Sequence, residues 1–356
     1  MRDLLGRRRV VIAAAALALL ALVVLALHLT SPRTSGVEGD WTTRAPGGAS
    51  VAGRAVLLDD NASLDLRTGK TVTLGSVRGG TPYVADDRLI IASPARLDSA
   101  RLDATARWTW RAPAGSTVSP LAASGGGTIA SVCPATGPCR LVGLDAAGRE
   151  SWSADGEQRR APLPSGPLPK VDAVSAGGGV RVTDPSGRSS LQPGRSFLAV
   201  PDGPVVTEVV QDGRCVVAAF QTADPAWTQV LPACPAGTPR LSVPPVDPDF
   251  LTVAWPSDRV RLELRTGAQA TTNVTAGKDT TIVLRTSGLI ARETRKSLHT
   301  NPFRWGTRVT VLQIVPERAS TVRAQVVSDE RLTLLHLDAS SLVVRDGDEV
   351  VRYTID

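Results

Sequence analysis

The sequence predicts an all-β fold, a β-propeller of eight blades with seven as the alternative, behind a single N-terminal transmembrane helix. Three observations predict it. The stretch Leu102-Asp103-Ala104-Thr105-Ala106-Arg107-Trp108-Thr109-Trp110 aligns without a gap to Leu144-Asp145-Ala146-Ala147-Gly148-Arg149-Glu150-Ser151-Trp152, at an offset of 42 residues (152 less 110). Weaker copies, such as Leu64-Asp65-Leu66-Arg67-Thr68-Gly69-Lys70 and Leu262-Glu263-Leu264-Arg265-Thr266-Gly267, keep a spacing of about 40 residues, the period of a four-stranded propeller blade. Finally, Val10 to Leu29 contains no Asp, Glu, Lys or Arg.

That uncharged run, as a helix rising 1.5 Å per residue, is about 30 Å long, the thickness of a bilayer's hydrocarbon core. Arg2, Arg7, Arg8 and Arg9 precede it against Asp3 alone, so the positive-inside rule leaves residues 1–9 in the cytoplasm and exports the chain beyond Leu29. A cleaved signal is the competing reading, but its apolar stretch is shorter and ends in small residues, whereas this run ends Leu27-His28-Leu29-Thr30-Ser31-Pro32. The expected organisation is a cytoplasmic tail (1–9), a spanning helix (10–29), a flexible stalk (30–50) rich in Gly, Ser, Thr and Pro, and an extracytoplasmic propeller (51–356).

Within the propeller, the turn leaving a strand recurs at Gly69, Ala106, Gly148, Gly187, Asp224, Gly267 and Gly347, the last step being a double one with a copy unread. Short β-rich runs lie between the turns: Ala55 to Leu58, Arg88 to Ala92, Thr128 to Val132, Val205 to Val210, Cys215 to Phe220, Val260 to Leu264, Thr281 to Leu284, Val309 to Ile314, Leu332 to Leu335, Leu342 to Val344 and Val350 to Tyr353. The span supplies between seven and eight units, eight if Trp41 and its neighbours give a closing strand. The Pro-rich patch Ala161 to Pro169 reads as a loop linking blades. Trp110, Trp152 and Trp227 recur at similar offsets and read as packing wedges between blades, because one four-stranded sheet buries its faces only against its neighbours.

All four cysteines, Cys133, Cys139, Cys215 and Cys234, fall in the exported part, where disulfides are favoured. Local pairing is preferred: Cys133 with Cys139 around a tight turn, and Cys215 with Cys234 across one hairpin. Neither spacing gives the C-x2-C knuckle of a zinc site, so no metal is expected.

At Leu64 to Lys70 and Leu144 to Trp152 the chain resembles the quinoprotein-like (PQQ-like) propeller family, whose repeat reads as a strand followed by L-D-x-x-T-G-x-x-x-W. The likeness extends in degraded form over most of residues 51–356. Family enzymes hold a quinone over calcium, often beside a disulfide between adjacent cysteines, and no two cysteines here are adjacent. Non-enzymatic relatives include a propeller lipoprotein that assists outer-membrane protein assembly, which has a lipid-modified cysteine where this chain has a spanning helix. The resemblance implies a non-catalytic, protein-binding scaffold without a cofactor.

The formal charge of +6 leaves only about +3 outside the membrane once the arginine-rich tail is set aside, and no basic cluster interleaved with aromatics appears, so nucleic acid is excluded as a partner. Only His299 and His336 lie outside the spanning run, and neither sits in a metal-ligand pair such as H-x-E. The reading is therefore not an enzyme. The segment Arg292 to His299, with Arg292, Arg295, Lys296 and His299, is the candidate partner-binding loop, the partner being an envelope or membrane protein. A propeller binding cell-wall glycan or a small ligand is the alternative. A glycoside hydrolase is the minority reading, resting on the acidic pairs Asp59-Asp60, Asp86-Asp87 and Asp329-Glu330.

Overall fold

The computed structural model of the chain describes residues 22, 33–45, 50–52, 55–58, 62–73, 80–194, 196–231, 234–270, 281–286, 288–297, 308–317, 319 and 321–356. Apart from Leu22, the expected spanning helix lies outside these, as do Asp59, Asp60 and His299. Among the described residues no helix is long and apolar enough to cross a membrane.

The described chain is all β. It opens with β1 (Val37–Arg44). Sheet I is β2 (Ser50–Ala52), β3 (Ala55–Leu58), β4 (Ala62–Asp65) and β5 (Thr71–Thr73); sheet II is β6 (Thr81–Ala85), β7 (Arg88–Ser93), β8 (Arg96–Arg101) and β9 (Trp108–Arg111). Sheet III is β10 (Ser116–Ser124), β11 (Gly127–Pro134), β12 (Cys139–Leu144) and β13 (Glu150–Glu157). A two-residue strand, β14 (Gly166–Pro167), then turns back to sheet II. Sheet IV is β15 (Asp172–Ala176), β16 (Gly179–Thr183) and β17 (Ser189–Pro193); sheet V is β18 (Ser196–Ala199), β19 (Val205–Gln211), β20 (Arg214–Phe220) and β21 (Pro225–Val230). Sheet VI is β22 (Arg240–Ser242), β23 (Phe250–Ala254) and β24 (Arg259–Glu263), and sheet VII is β25 (Thr281–Thr286), β26 (Leu289–Ser297), β27 (Arg308–Pro316) and β28 (Ala324–Ser328). Sheet VIII joins β29 (Leu332–Leu337), β30 (Ser341–Asp346) and β31 (Glu349–Ile355) to β1, in the order β1-β31-β30-β29. Eight sheets are thus present among the described residues, most of them antiparallel meanders of consecutive strands, the blade unit of a propeller.

The chain divides into two compact units, one comprising Trp41–Val274 and Asp348–Arg352, the other Met1–Asp40, Thr275–Gly347 and Tyr353–Asp356. The first unit explains why sheets of this kind form in series. On a strand, successive side chains point to opposite faces. In sheet II, Tyr83 and Ile90 enter a core shared with Val118, Ala130 and Val142 of sheet III, while Val84, Leu89 and Ile91 enter a second core with Ala55, Leu57 and Val72 of sheet I. Both faces are buried, which one sheet alone cannot achieve. The same sharing joins Val180 and Val182 of sheet IV to Val205 and Phe220 of sheet V, and Val206 and Val217 of sheet V to Leu251 and Leu262 of sheet VI.

The repeated turn has a chemical reason. The Asp65 carboxylate accepts from the Arg67 N–H at 3.0 Å and the Thr68 hydroxyl at 2.7 Å, and Asp145 accepts from the Ala147 and Arg149 N–H groups, both at 2.9 Å. Such side-chain-to-backbone bonds fix a tight turn. The glycine closing it takes positive φ, +68° at Gly69 and +75° at Gly148. That glycine also carries the wedge: a Cβ on Gly148 would stand 2.6 Å from Trp108 of the preceding sheet, on Gly187 2.8 Å from Trp152, on Gly267 2.6 Å from Trp227, and on Gly69 2.7 Å from Trp41. Two of these indoles are anchored further, Trp152 Nε1 donating to Pro185 O at 2.9 Å and Trp227 Nε1 to Leu264 O at 2.7 Å. The wedge reading of Trp152 and Trp227 is thus what the structure places there, whereas at the third site the indole over the glycine is Trp108, with Trp110 packed against the same core between sheets II and III.

Three expectations are corrected. Part of the expected stalk, Val37–Arg44, is strand β1, because its alternating side chains serve a sheet whose other three strands come from the C-terminal end. Gly347 is not a copy of the repeated turn: it leads into β31, an inner strand of sheet VIII, whereas Gly69, Ala106, Gly148, Gly187 and Asp224 lead into the edge strand of their sheets and Gly267 into the bridge Leu262–Gln269. Sheet VIII takes its fourth strand from β1, so it has no turn of the repeated kind. Lastly, the Pro-rich patch is more than a link. Gly166 and Pro167 pair in parallel with Tyr83 and Val84, Leu168 N–H donates to Val84 O at 2.9 Å, Tyr83 Oη donates to Leu163 O at 2.8 Å, Ala123 N–H donates to Pro169 O at 2.9 Å, and Lys170 N–H donates to Gly203 O at 3.0 Å. The segment therefore straps sheets II, III and V together, and Arg160, ion-paired with buried Asp172 at 2.6 Å, fixes it to sheet IV.

Candidate functional site: a basic ribbon

The expected partner-binding loop is the far end of a β-ribbon. β26 and β27 pair over nine residues each, from Leu289 opposite Pro316 to Ser297 opposite Arg308. Among the described residues β25 pairs with β26 no further than Glu293, and β28 pairs with β27 no further than Thr310. Thr294–Ser297 on one strand and Arg308–Val309 on the other thus lie beyond the described pairing with β25 and β28, and Val309 is buried in a small core with Val311. Across from β26, β27 carries Val309-Thr310-Val311, a β-branched run favouring extended backbone.

The alternation of a strand divides the candidate residues. Arg292 falls on one face, opposite Gln313; Arg295 falls on the other, opposite Thr310. Arg295 is exposed and its Nε lies 3.5 Å from Glu293 Oε1, a surface ion pair that leaves the guanidinium largely in water. Arg292 is half-buried, and Arg308 adds an exposed cation that the sequence pattern does not single out. The structure therefore places three of the four expected residues along one strand, β26; the fourth, His299, lies outside the described residues.

The remaining candidates are placed in turns. His336 Nε2 stands 3.3 Å from Asp338 Oδ2, but that carboxylate is the hub of a turn, accepting from the Ser340 N–H at 2.8 Å, the Ser341 N–H at 2.7 Å and the Ser341 hydroxyl at 2.8 Å. Burial pushes the Asp338 carboxyl up, yet these donors and His336 outweigh it and hold it down at about 2. Ser341 donates to the aspartate and not to the histidine, which is not the relay of a nucleophilic triad. Of the acidic pairs, Asp86 accepts from Gly125 N–H at 2.9 Å and Asp87 is ion-paired with Arg101 at 2.6 Å. At the third pair, Glu330 N–H donates to Ser328 Oγ at 3.0 Å and the Glu330 carboxylate closes over Gly347.

The disulfides are those the spacing favours, Cys133–Cys139 and Cys215–Cys234. Beside the first, at one end of sheet III, opens a cavity of about 280 Å³ lined by Pro113, Ser116, Val132, Pro134, Arg140 and Asp155. Beside the second lies Glu208, whose carboxylate and the two sulfurs stand within 4.8 Å of one another. Sequence reasoning missed this group, because Glu208 sits unmarked inside a strand run.

No family model and no curated protein matches the chain. Solved structures resemble it at low identity. BamB from Moraxella catarrhalis is similar at 14% identity and a TM-score of 0.40, covering 89% of this chain and 99% of that one. The WD40 domain of SCAP from fission yeast gives 11% and 0.42 over 90% and 98%, and the computationally designed Ika8 protein 12% and 0.37 over 90% and 98%. At such scores the architecture rests on the chain's own sheets.

Proposed function

We propose that the chain is an eight-bladed propeller tethered to the cell membrane by residues 10–29, its propeller outside the cytoplasm, serving as a non-catalytic protein-binding scaffold of the bacterial cell envelope. The observation that carries the proposal is the basic ribbon. A long strand pair that carries exposed cations, Arg295 on one strand and Arg308 on the other, offers an extended basic edge suited to being gripped by another protein. Arg292, Arg295 and Lys296 give that grip a preference for acidic surface. The sequence supplies the tether and the export, through the uncharged run and the arginines before it.

The experiment is cross-linking in intact cells, followed by purification of the tagged chain from membranes and identification of what accompanies it. A stoichiometric envelope protein is expected with the native chain and absent with the triple reversal Arg292→Glu, Arg295→Glu, Lys296→Glu, whose melting temperature stays native. Recovery of the chain alone, or of the same partner with the triple variant, refutes the proposal. The cavity beside Cys133–Cys139 favours one second reading, a glycan or small-ligand binder. That reading requires retention on purified wall material and release by free sugar.

A further inference from the structure

Glu208 is fully buried on β19, on the face of sheet V that otherwise carries Val206, Cys215, Val217 and Ala219 into the core shared with sheet VI. The register sets Glu208 opposite Val217 and Val210 opposite Cys215, so Glu208 and Cys215 are diagonal neighbours on that face. The carboxylate of Glu208 thus lies in a mostly apolar row. Its surroundings include two sulfurs: Cys215 Sγ and Cys234 Sγ lie within 4.8 Å of a Glu208 carboxylate oxygen and of each other. Two sulfurs and one carboxylate oxygen are the donor set of a zinc-type site, in which metal–sulfur distances of about 2.3 Å and metal–oxygen distances of about 2.0–2.2 Å are reached by small side-chain shifts from such a cluster.

We infer that Glu208, Cys215 and Cys234 form a redox-gated site for a thiophilic divalent cation of the zinc class. With the sulfurs bonded to each other the site is closed, since a disulfide offers no thiolate. A dithiol opens it by exchange: the Cys215–Cys234 bond takes two electrons and two protons and becomes two thiols, and the dithiol leaves as its own disulfide. The cation then displaces both thiol protons and binds two thiolates and the Glu208 carboxylate. Cys234, only half-buried, lets water supply the fourth position. Because the site lies inside sheet V, loading it replaces one covalent clamp between β20 and the segment after β21 by another, and the inference holds whatever the ribbon binds.

The test uses the full chain with Cys133→Ser and Cys139→Ser, so that only the second pair responds. After reduction by a phosphine, Cd²⁺ is titrated by its thiolate charge-transfer absorption and Zn²⁺ by competition with a chromophoric chelator. One equivalent is expected to bind, releasing two protons, with no binding before reduction and a rise in melting temperature when metal is added to the reduced chain. Glu208→Gln is expected to loosen the metal at least about tenfold, the lower end of what even an outer-shell partner contributes. A reduced chain that binds no metal, unchanged affinity in Glu208→Gln, equal binding before reduction, or a reduced chain that loses its β signal and does not regain it with metal each overturns the inference.

Discussion

Gly267→Ala and Trp227→Ala, made singly and together, separate the two demands that the structure makes of the repeated turn. Gly267 has φ +73°, which costs an L-residue about 1–2 kcal/mol. An alanine there would also set its methyl 2.6 Å from Trp227 Cε3 and 2.8 Å from Cδ2, and relieving such overpacking costs about 1–3 kcal/mol more. Gly267→Ala alone is thus expected to cost about 2–5 kcal/mol, the range these two contributions span. Trp227→Ala removes the indole and its bond to Leu264 O at 2.7 Å, a change worth about 3–5 kcal/mol. In the double variant the ring is gone, so the alanine replacing Gly267 adds only the about 1–2 kcal/mol of its backbone, and the cycle departs from additivity by about 1–3 kcal/mol. Urea denaturation followed by far-ultraviolet circular dichroism measures all four proteins without relying on tryptophan fluorescence. If Gly267→Ala costs as much in the Trp227→Ala background as in the native chain, the tryptophan is not what reserves the position for glycine.

Other outcomes follow from the same structure. The Asp338 carboxyl is held near 2, below its unfolded value near 4, so its stabilisation is present above pH 4 and is lost as pH falls towards 2; discounted for its 44% exposed side chain this is about 1 kcal/mol, and the acid limb of urea midpoints should flatten in Asp338→Asn. Replacing Cys215 and Cys234 by alanine opens a 20-residue loop and should cost about 3 kcal/mol, against about 2 kcal/mol for the 7-residue loop of Cys133 and Cys139, and equal losses in denaturation would count against loop closure as the cause. Tyr83→Phe removes the bond to Leu163 O, at a cost of about 1 kcal/mol, and should speed trypsin cleavage at Arg159 and Arg160, where an unchanged rate would mean that the strap is held elsewhere.

The fold was legible where local chemistry dictates it. Asp, two or three turn residues and Gly form a hydrogen-bonded unit that any strand pair can carry, so Asp65, Asp145 and Asp184 announce their turns in sequence. The inner strands announce themselves too, because both their faces are buried and they read as unbroken apolar runs, as in Leu89-Ile90-Ile91. Outer strands do not. Ser189–Pro193 and Pro225–Val230 expose alternate residues and carry a proline each, and only the pairing of their neighbours identifies them. The strap was illegible for a further reason: Gly166 and Pro167 have no strand pattern, and they pair because Tyr83 and Leu168 are buried on either side of them.

The ribbon and the buried carboxylate failed to show for one shared cause, which is register. Along β26 the apolar pattern ends at Ala291, and Arg292 to Ser297 reads as a polar loop; the backbone stays extended because Val309 and Val311 lie across from it. The basic residues were found and their setting was not. Along β19 the run Val205 to Val210 reads as an ordinary strand with one glutamate on its way to solvent. Only the pairing of Glu208 with Val217, and of Val210 with Cys215, turns that glutamate inward and diagonal to a sulfur. Single residues carry type and charge; which face they take, and whom they meet, belongs to the pairing of strands distant in sequence. Both functional proposals rest on that pairing, so a one-residue slip of β19 against β20 would abolish the sulfur–carboxylate cluster while leaving the ribbon untouched.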